Sequence, residues 1–350
     1  MHNKILFSLA LIALFIAPGF TSNQFLNRLL ACTALLLLVS PKAFHKPNVA
    51  QWMAILWIGW SIFCSFYSEH PAQSFYGFHL RWEGAITLML FIVLGVYASS
   101  VGKDLSDIRW AVAGTMVILL LSLLVRHYPN YSNIFLSPIA LAGLVAVGSI
   151  YLVSWHPLWL VAVLPLLIFS QNRTGLITAF IGIGLFYVLT RRFRTIHVAV
   201  TILALIIGAI GFRERLAAIN PSVLGIGSRA QWIMQAEDHA KALPLTGFGP
   251  DVLGHYLNRS TGNSVDKVRF YDKTHNILFD TILQTGWIGY TLAALTFGAT
   301  IAVVIHHPTP QNIACLCVII TWITFGFLNP QGVPAHTLAL LAIFKLRCSS

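Results

Sequence analysis

Val198–Phe212 reads VAVTILALIIGAIGF and Gly286–His306 reads GWIGYTLAALTFGATIAVVIH. Between them, over residues 213–277, lies the only long polar stretch of an otherwise apolar chain. Seven of the 11 acidic residues fall between Glu214 and Asp280, interleaved with Arg213, Arg215, Arg229, Lys241, Arg259, Lys267, Arg269 and Lys273. The flanking runs read as membrane spans, since a helix needs about 20 apolar residues to cross a bilayer. A polar segment pinned between two spans is placed at a membrane face. Helices that only pack in lipid have little use for such a segment, so chemistry or recognition is expected there.

Working outward, 57% of the 350 residues are hydrophobic, 9% are charged, and the mean hydropathy is +0.76. Soluble domains carry about 25% charged residues. The expectation is an all-α polytopic membrane protein, one integral domain over 1–350 with residues 213–277 inserted as a loop. Apolar blocks fall at 5–20, 25–40, 49–66, 85–101, 110–125, 135–154, 158–169, 176–190, 198–212, 286–306, 312–328 and 337–347. The first block follows a single lysine, as in a signal peptide, and with so many spans after it reads as an uncleaved first helix.

The net charge of +11 comes from basic residues scattered over short loops. Lys4, Lys42 with Lys46, Lys103 with Arg109, Arg191-Arg192-Phe193-Arg194, and Lys345 with Arg347 alternate onto one side, which the positive-inside rule makes cytoplasmic. Segments 67–84, 126–134, 170–175, 213–277 and 329–336 then face the opposite side. The alternation gives about twelve spans with both ends inside, and an extracytoplasmic loop between the ninth and tenth. Such a distribution points to anionic lipid head groups or an anionic lipid-linked substrate as partners, not to nucleic acid.

Cys32, Cys64, Cys315, Cys317 and Cys348 lie in spans or the tail, so no disulfide framework forms in the loop. Cys315-x-Cys317 sits mid-span without histidine partners and reads as helix packing. Walker, zinc-protease and Ser-His-Asp patterns are unreadable, and no paired carboxylates mark the spans. No cofactor and no divalent metal is expected.

Four places carry candidate chemistry. Arg173 lies in Ser170-Gln171-Asn172-Arg173-Thr174-Gly175 between two spans; it is either a snorkelling side chain at a helix end or an anion-binding guanidinium facing a polar cavity. Arg229 opens a helix-prone segment, Ser228–Ala242, where its charge opposes the helix dipole unless an anion counters it; Trp232 follows as an interface anchor. Arg81-Trp82-Glu83-Gly84 precedes a span on the same face, as a structural pair or the lining of an acceptor groove. His275 stands just before a short amphipathic helix, Asn276–Thr285, that leads into the tenth span. Unperturbed histidine titrates near pH 6.5, and arginines nearby would keep it neutral and basic. Asp272 and Asp251 are alternative bases, and Asp280 is placed to orient the helix or His275. Leu243–Pro250, with Gly247 and Gly249, reads as a turn.

His275-Asn276, nine residues, then Gly286-Trp287-Ile288-Gly289 resembles the His-[Asn/Ser/Gln]-x9-Gly-x-x-Gly signature of the O-antigen ligase and polymerase superfamily of bacterial inner-membrane glycosyltransferases. Arg173 between two spans, Arg229-x-x-Trp232, Gly247-x-Gly249 and Arg81-x-Glu83-Gly84 resemble further elements of that superfamily. The likeness covers the topology and most of 170–290. It implies transfer of a glycan from undecaprenyl diphosphate to an acceptor hydroxyl on the periplasmic face, with inversion at the anomeric carbon. Arg173 and Arg229 would bind the diphosphate, His275 would act as base, and Asn276, Asp272, Asp280, Arg81 and Glu83 would support them. The acceptor implied for a ligase is lipid A-core; a repeat-unit polymerase would use another lipid-linked glycan, and an O-oligosaccharyltransferase a protein. A lipid-linked glycan transporter is the non-enzymatic alternative, opposed by the near absence of acidic residues from the spans.

Overall fold

A computed structural model describes residues 2–15, 46–77, 84–101, 104–125, 138–170, 172–191, 243–259, 274, 276–327, 329 and 333–347. Among these, every regular element is a helix: α1 (His2–Phe15), α2 (Val49–Phe66), α3 (Pro71–Tyr76), α4 (Ala85–Val101), α5 (Ser106–Val125), α6 (Pro138–Val153), α7 (Leu160–Phe169, entered through a 3-10 turn at Pro157–Trp159), α8 (Arg173–Thr190), α9 (Leu253–Arg259), α10 (Ile277–His306), α11 (Pro310–Gly326) and α12 (Val333–Phe344). Helices α2, α8 and α10 are each long and apolar enough to cross a membrane, and α4, α6, α7, α11 and α12 are shorter apolar helices. The expected blocks at 25–40 and 198–212 lie outside the described residues, as does most of the polar loop.

The helices start where the sequence supplies caps. Asn48 and Gln51 form a reciprocal capping box on α2, Asn172 caps α8 through the Gly175 N–H, and Thr309 accepts from Asn312 N–H at the head of α11. The Asn172 cap begins α8 at Arg173, three residues before the apolar block suggests, so Arg173 belongs to the first helical turn and not to a preceding loop.

At the centre stands α6, whose residues from Leu141 to Val153 are all buried. A helix apolar on every side has no solvent or lipid face to offer, and α5, α7, α8, α11 and α12 surround it. Small residues bring the backbones close. A methyl group on Gly182 of α8 would lie 1.9 Å from Thr321 Oγ1 of α11, and one on Gly95 of α4 would lie 2.2 Å from the Phe344 ring of α12. Helix α10 packs chiefly against α2, on the flank of this core.

Hydrogen bonds between helix ends sort the bundle into two poles. At the first, Lys345 Nζ meets Asp107 Oδ2 at 2.8 Å with both side chains fully buried. There too Gln51 Nε2 donates to the Phe344 carbonyl (2.8 Å), Asn48 Nδ2 to that of Leu346 (3.0 Å), and Asn312 Nδ2 to that of Arg347 (2.9 Å). Lys345, read from sequence as a loop charge, is thus an interior one. Lys4 and Asp104 pair at 2.9 Å on the surface of the same pole. Partial burial works to raise the Asp104 carboxyl, but hydrogen bonds from Lys4 and Ser106 and the Lys4 charge outweigh it and hold the group down at about 2. Trp110 and Trp155, with ring centroids 4.9 Å apart, sit exposed beside them, as interfacial tryptophans do. The second pole gathers the starts of α4, α6, α8, α10 and α12 with the ends of α2 and α11.

Candidate functional site

At the second pole α10 is not continuous. Gly286 has φ 68° and ψ −175°, a conformation essentially restricted to glycine, and it separates a first segment, Ile277–Thr285, from the long span that follows. The short helix expected before the tenth span is therefore present, and Gly286 marks its end. In an unbroken helix each carbonyl accepts from the N–H four residues on. Here three consecutive carbonyls find partners outside α10. Phe248 N–H donates to Leu283 (2.8 Å), Gly249 N–H to Gln284 (3.0 Å), and Trp60 Nε1 of α2 to Thr285 (2.8 Å). The exchange answers the rule that buried backbone groups must be paired.

This explains the spacing of both glycine pairs. The turn Leu243–Pro250 lies directly on the break. A Cβ on Gly286 would fall 1.9 Å from the Leu245 carbonyl oxygen, and one on Gly247 would fall 2.6 Å from Gly286 N. Gly247 and Gly249 have φ of 68° and 100°. A Cβ added at Gly289 would lie 3.0 Å from Trp60 Cδ1, so α2 and α10 meet closely just beyond the break. On the far side of the turn Ser68 Oγ donates to the Phe248 carbonyl (2.7 Å), tying it to the segment before α3. Gly84, last residue of the Arg81-Trp82-Glu83-Gly84 motif, abuts the α3 backbone, 2.4 Å from Gly77 N for an added Cβ. The side chains of Arg81 and Glu83 lie outside the described residues.

The start of α10 holds the signature. Asn276 is its N-cap, with Oδ1 accepting from Leu278 N–H (2.9 Å) and Phe279 N–H (3.4 Å). One turn on, buried Asp280 accepts through Oδ1 from both Thr274 N–H and Thr274 Oγ1, each at 2.8 Å. Thr274 and Asn276, the two neighbours of His275, are thereby fixed to the first turn of α10. His275 itself is outside the described residues, as are Asp272 and Arg229. Asp251, the other candidate base, is buried with φ 56°, its N–H held by Gln284 Oε1 (3.0 Å) and its carbonyl by Gln73 Nε2 (2.9 Å).

Below this turn a cavity of about 130 Å³ opens between α2, α4, α10, α11 and α12; among its walls are Trp57, Phe91, Asp280, Gln284, Trp322 and His336. Trp322 Nε1 donates to His336 Nδ1 (3.1 Å), so in the neutral ring the proton sits on Nε2. Arg173 stands half-buried at the head of α8 on the same pole, beside α6, where Gly175 meets Ala142. It is not among the described residues lining the cavity. The structure brings together Asn276, Asp280 and both glycine pairs, and Arg173 is carried by another helix. Sequence reading missed Trp57, Asn329 and His336. No motif spacing singles them out, because they converge from three separate segments.

Residues 158–294 match a family model described as O-antigen ligase. The match begins before α7 and ends past the break in α10, so it contains Arg173, Arg229, His275 and both glycine pairs, and it supports the O-antigen ligase and polymerase superfamily. No curated protein matches the chain.

Proposed function

We propose that the chain transfers a glycan from an undecaprenyl-diphosphate carrier to an acceptor hydroxyl, as an O-antigen ligase with lipid A-core as acceptor. The observation that carries this reading is the fixed frame around His275: Thr274 held by Asp280 on one side, Asn276 capping α10 on the other, and a cavity directly beneath. Thr274 and Asn276 are thus both anchored to the first turn of α10, the kind of fixed support that general base catalysis requires.

In the proposed step His275 takes the proton of the acceptor hydroxyl, whose oxygen attacks the anomeric carbon from the face opposite the carrier. The bond from that carbon to the diphosphate oxygen breaks, and its electron pair leaves on the diphosphate, inverting the centre. Diphosphate is a good leaving group, so the protein's task is to stabilise its charge. Arg173 and Arg229 supply guanidinium forks for this purpose. The placement of Arg173 in the first turn of α8 adds the positive end of the helix dipole to its own charge, which favours an anion there. The step needs no metal and no nucleotide.

The orientation follows from the basic residues. Lys4, Lys46, Arg109, Arg191 and Arg347 belong to the first pole, which the positive-inside rule makes cytoplasmic. The Asn276 pole then faces the periplasm of the inner membrane, where lipid-linked glycans are presented.

The test is a deletion strain complemented with wild type or His275→Ala, with surface polysaccharide and carrier-linked glycan compared by gel and mass spectrometry. Carrier-linked polymer that only the wild type clears supports the ligase reading, with His275→Ala reducing transfer by about 10²–10⁴-fold. Single repeat units on the surface would instead mean a polymerase, and a mass change confined to a surface protein a protein O-oligosaccharyltransferase. Unchanged glycans would sink the transfer reading and revive a transporter.

A further inference from the structure

Helices α2 and α10 run side by side on the flank of the bundle, and each exposes an apolar face. Leu56, Phe63 and Phe66 form it on α2, and Trp287, Leu295 and Ile305 on α10. From Trp287 to Ile305 a helix rises about 27 Å at 1.5 Å per residue, close to the roughly 30 Å hydrocarbon thickness of a bilayer. The face is therefore a lipid-facing one, and the break at Gly286 marks its upper edge. Two amphipathic rings stand exposed at that edge, Trp287 just past the break and Tyr67 at the end of α2. Such rings favour the boundary between head groups and acyl chains.

The turn 243–250 is laid along the same edge. At one end the Leu245 carbonyl abuts Gly286; at the other, Ser68, next to Tyr67, donates from Oγ to the Phe248 carbonyl (2.7 Å). The apolar side chains of the turn divide. Leu243 and Phe248 pack inward with Leu253, Ile282 and Leu283. Leu245 is 71% exposed, beside the residue where the α10 span begins. A lone exposed leucine is ordinary on a protein surface. This one instead continues a lipid-facing surface onto an element that spans nothing.

We infer that the turn 243–250 is a membrane foot: Leu245 enters the leaflet at the second pole, level with Trp287 and Tyr67, and its partner is the interfacial layer of a phospholipid bilayer. Leaving water favours an apolar side chain at that depth. The backbone is prepared for it, because the Gly247, Phe248 and Gly249 N–H groups are already paired with the Pro244, Leu283 and Gln284 carbonyls; unpaired groups would bar an approach to hydrocarbon. The foot holds the turn against the break and sets the height of the Thr274–Asn276 frame at the head groups, where the diphosphate of a lipid-linked donor lies. That last consequence rests on the transfer reading; the lipid contact does not.

The test is power-saturation EPR on the full chain in phosphatidylcholine–phosphatidylglycerol nanodiscs, with a nitroxide on one introduced cysteine at a time. The parent carries Cys32→Ser and Cys348→Ser; Cys64, Cys315 and Cys317 are buried, and the parent treated with the label supplies the background. Leu295→Cys reports the lipid interior, Trp287→Cys the edge, and Pro308→Cys, exposed in the loop after α10, the water phase. A label at Leu245→Cys should be open to oxygen and shielded from nickel-EDDA. Its depth should fall within ~5 Å of Trp287→Cys, one helical turn, and about 12 Å short of Leu295→Cys. Access to nickel-EDDA equal to that at Pro308→Cys would place the turn in water. Shielding from both reagents would mean that protein, a second copy included, covers it; either result overturns the foot. Leu245→Asp should speed hydrogen exchange over 243–250 in the same nanodiscs, whereas Leu245→Phe should not; equal exchange in both variants and wild type would show that lipid does not hold the turn. Retained glycan transfer by His275→Ala in cells would overturn the transfer reading and leave the depth result standing.

Discussion

The two poles of the bundle handle polar groups in opposite ways. At the Lys345 pole a fully buried cation and carboxylate meet at 2.8 Å, and side-chain amides close the carbonyls at the end of α12. At the Asn276 pole a helix is broken at a glycine and its carbonyls are answered by a separate loop. One pole joins helix ends through side chains; the other joins a broken helix to a loop through its backbone. The buried ion pair and the proposed site thus lie at opposite ends of the same helices, α2, α10, α11 and α12 among them.

The comparison breaks first, and with the largest effect, at the ion pair. Lys345→Met leaves the Asp107 carboxylate buried without its cation, and removing one partner of such a pair costs about 3–5 kcal/mol. The variant should melt far below wild type in detergent and accumulate poorly. Adding Asp107→Leu removes the stranded charge and should restore most of the loss, because a buried pair replaced whole by apolar residues is often neutral or better. If the double variant melts as low as the single one, the pair is not what the first pole is built on.

A glycine pair within α10 sharpens the contrast. Gly286→Ala forces a left-handed backbone on a residue with a Cβ and drives that Cβ into the Leu245 carbonyl. Strain alone costs about 1–3 kcal/mol, and relief requires the 243–250 turn to lift. Gly298, further along the same helix, has nothing within 4 Å of an added Cβ, so Gly298→Ala should be neutral or stabilising by about 0.5–1 kcal/mol. Glycan transfer should fall steeply in the first variant and hold in the second. Equal activity in both would mean that the break in α10 has no bearing on the site.

The same contrast governs what was legible in the chain. Helices α2 and α4 coincide with their apolar blocks at 49–66 and 85–101, because hydropathy and length are local properties. The Asn276–Thr285 segment was readable as a short amphipathic helix, and 243–250 as a turn from its glycines and prolines. That the two glycine pairs interlock was not, since it depends on backbone contacts between segments far apart in sequence. Lys345 misled for the same reason: a lysine after an apolar run looks like a loop charge until Asp107, 238 residues away, closes on it. Trp57, Asn329 and His336 carry no motif at all and acquire meaning through the cavity they share. Arg229, His275, Asp272, Arg81 and Glu83 lie outside the described residues, so their assignment rests on spacing and family resemblance.

The smallest expected effect is one of pH, at the edge of the second pole. His255 of α9 stacks on His70 with ring centroids 4.3 Å apart and hydrogen-bonds Gln73 of α3 through Nε2. Burial, and then the charge of His70, hold its pKa below the ordinary 6.5. The unfolded or undocked segment therefore takes up a proton more readily than the docked one. The stabilising contribution is complete above about pH 6.5 and declines as pH falls below that value. Hydrogen exchange over 243–259, corrected for intrinsic rates, should be faster at pH 5.5 than at pH 7.5, while exchange at the Lys345 pole stays level. Asp104, held at about 2, remains charged across that range. In His255→Gln the amide keeps a hydrogen-bonding group toward Gln73 but has nothing to titrate, so the pH dependence should vanish. If it persists, the loosening comes from elsewhere, and the contrast between a pH-indifferent pole and a pH-sensitive one fails at this residue.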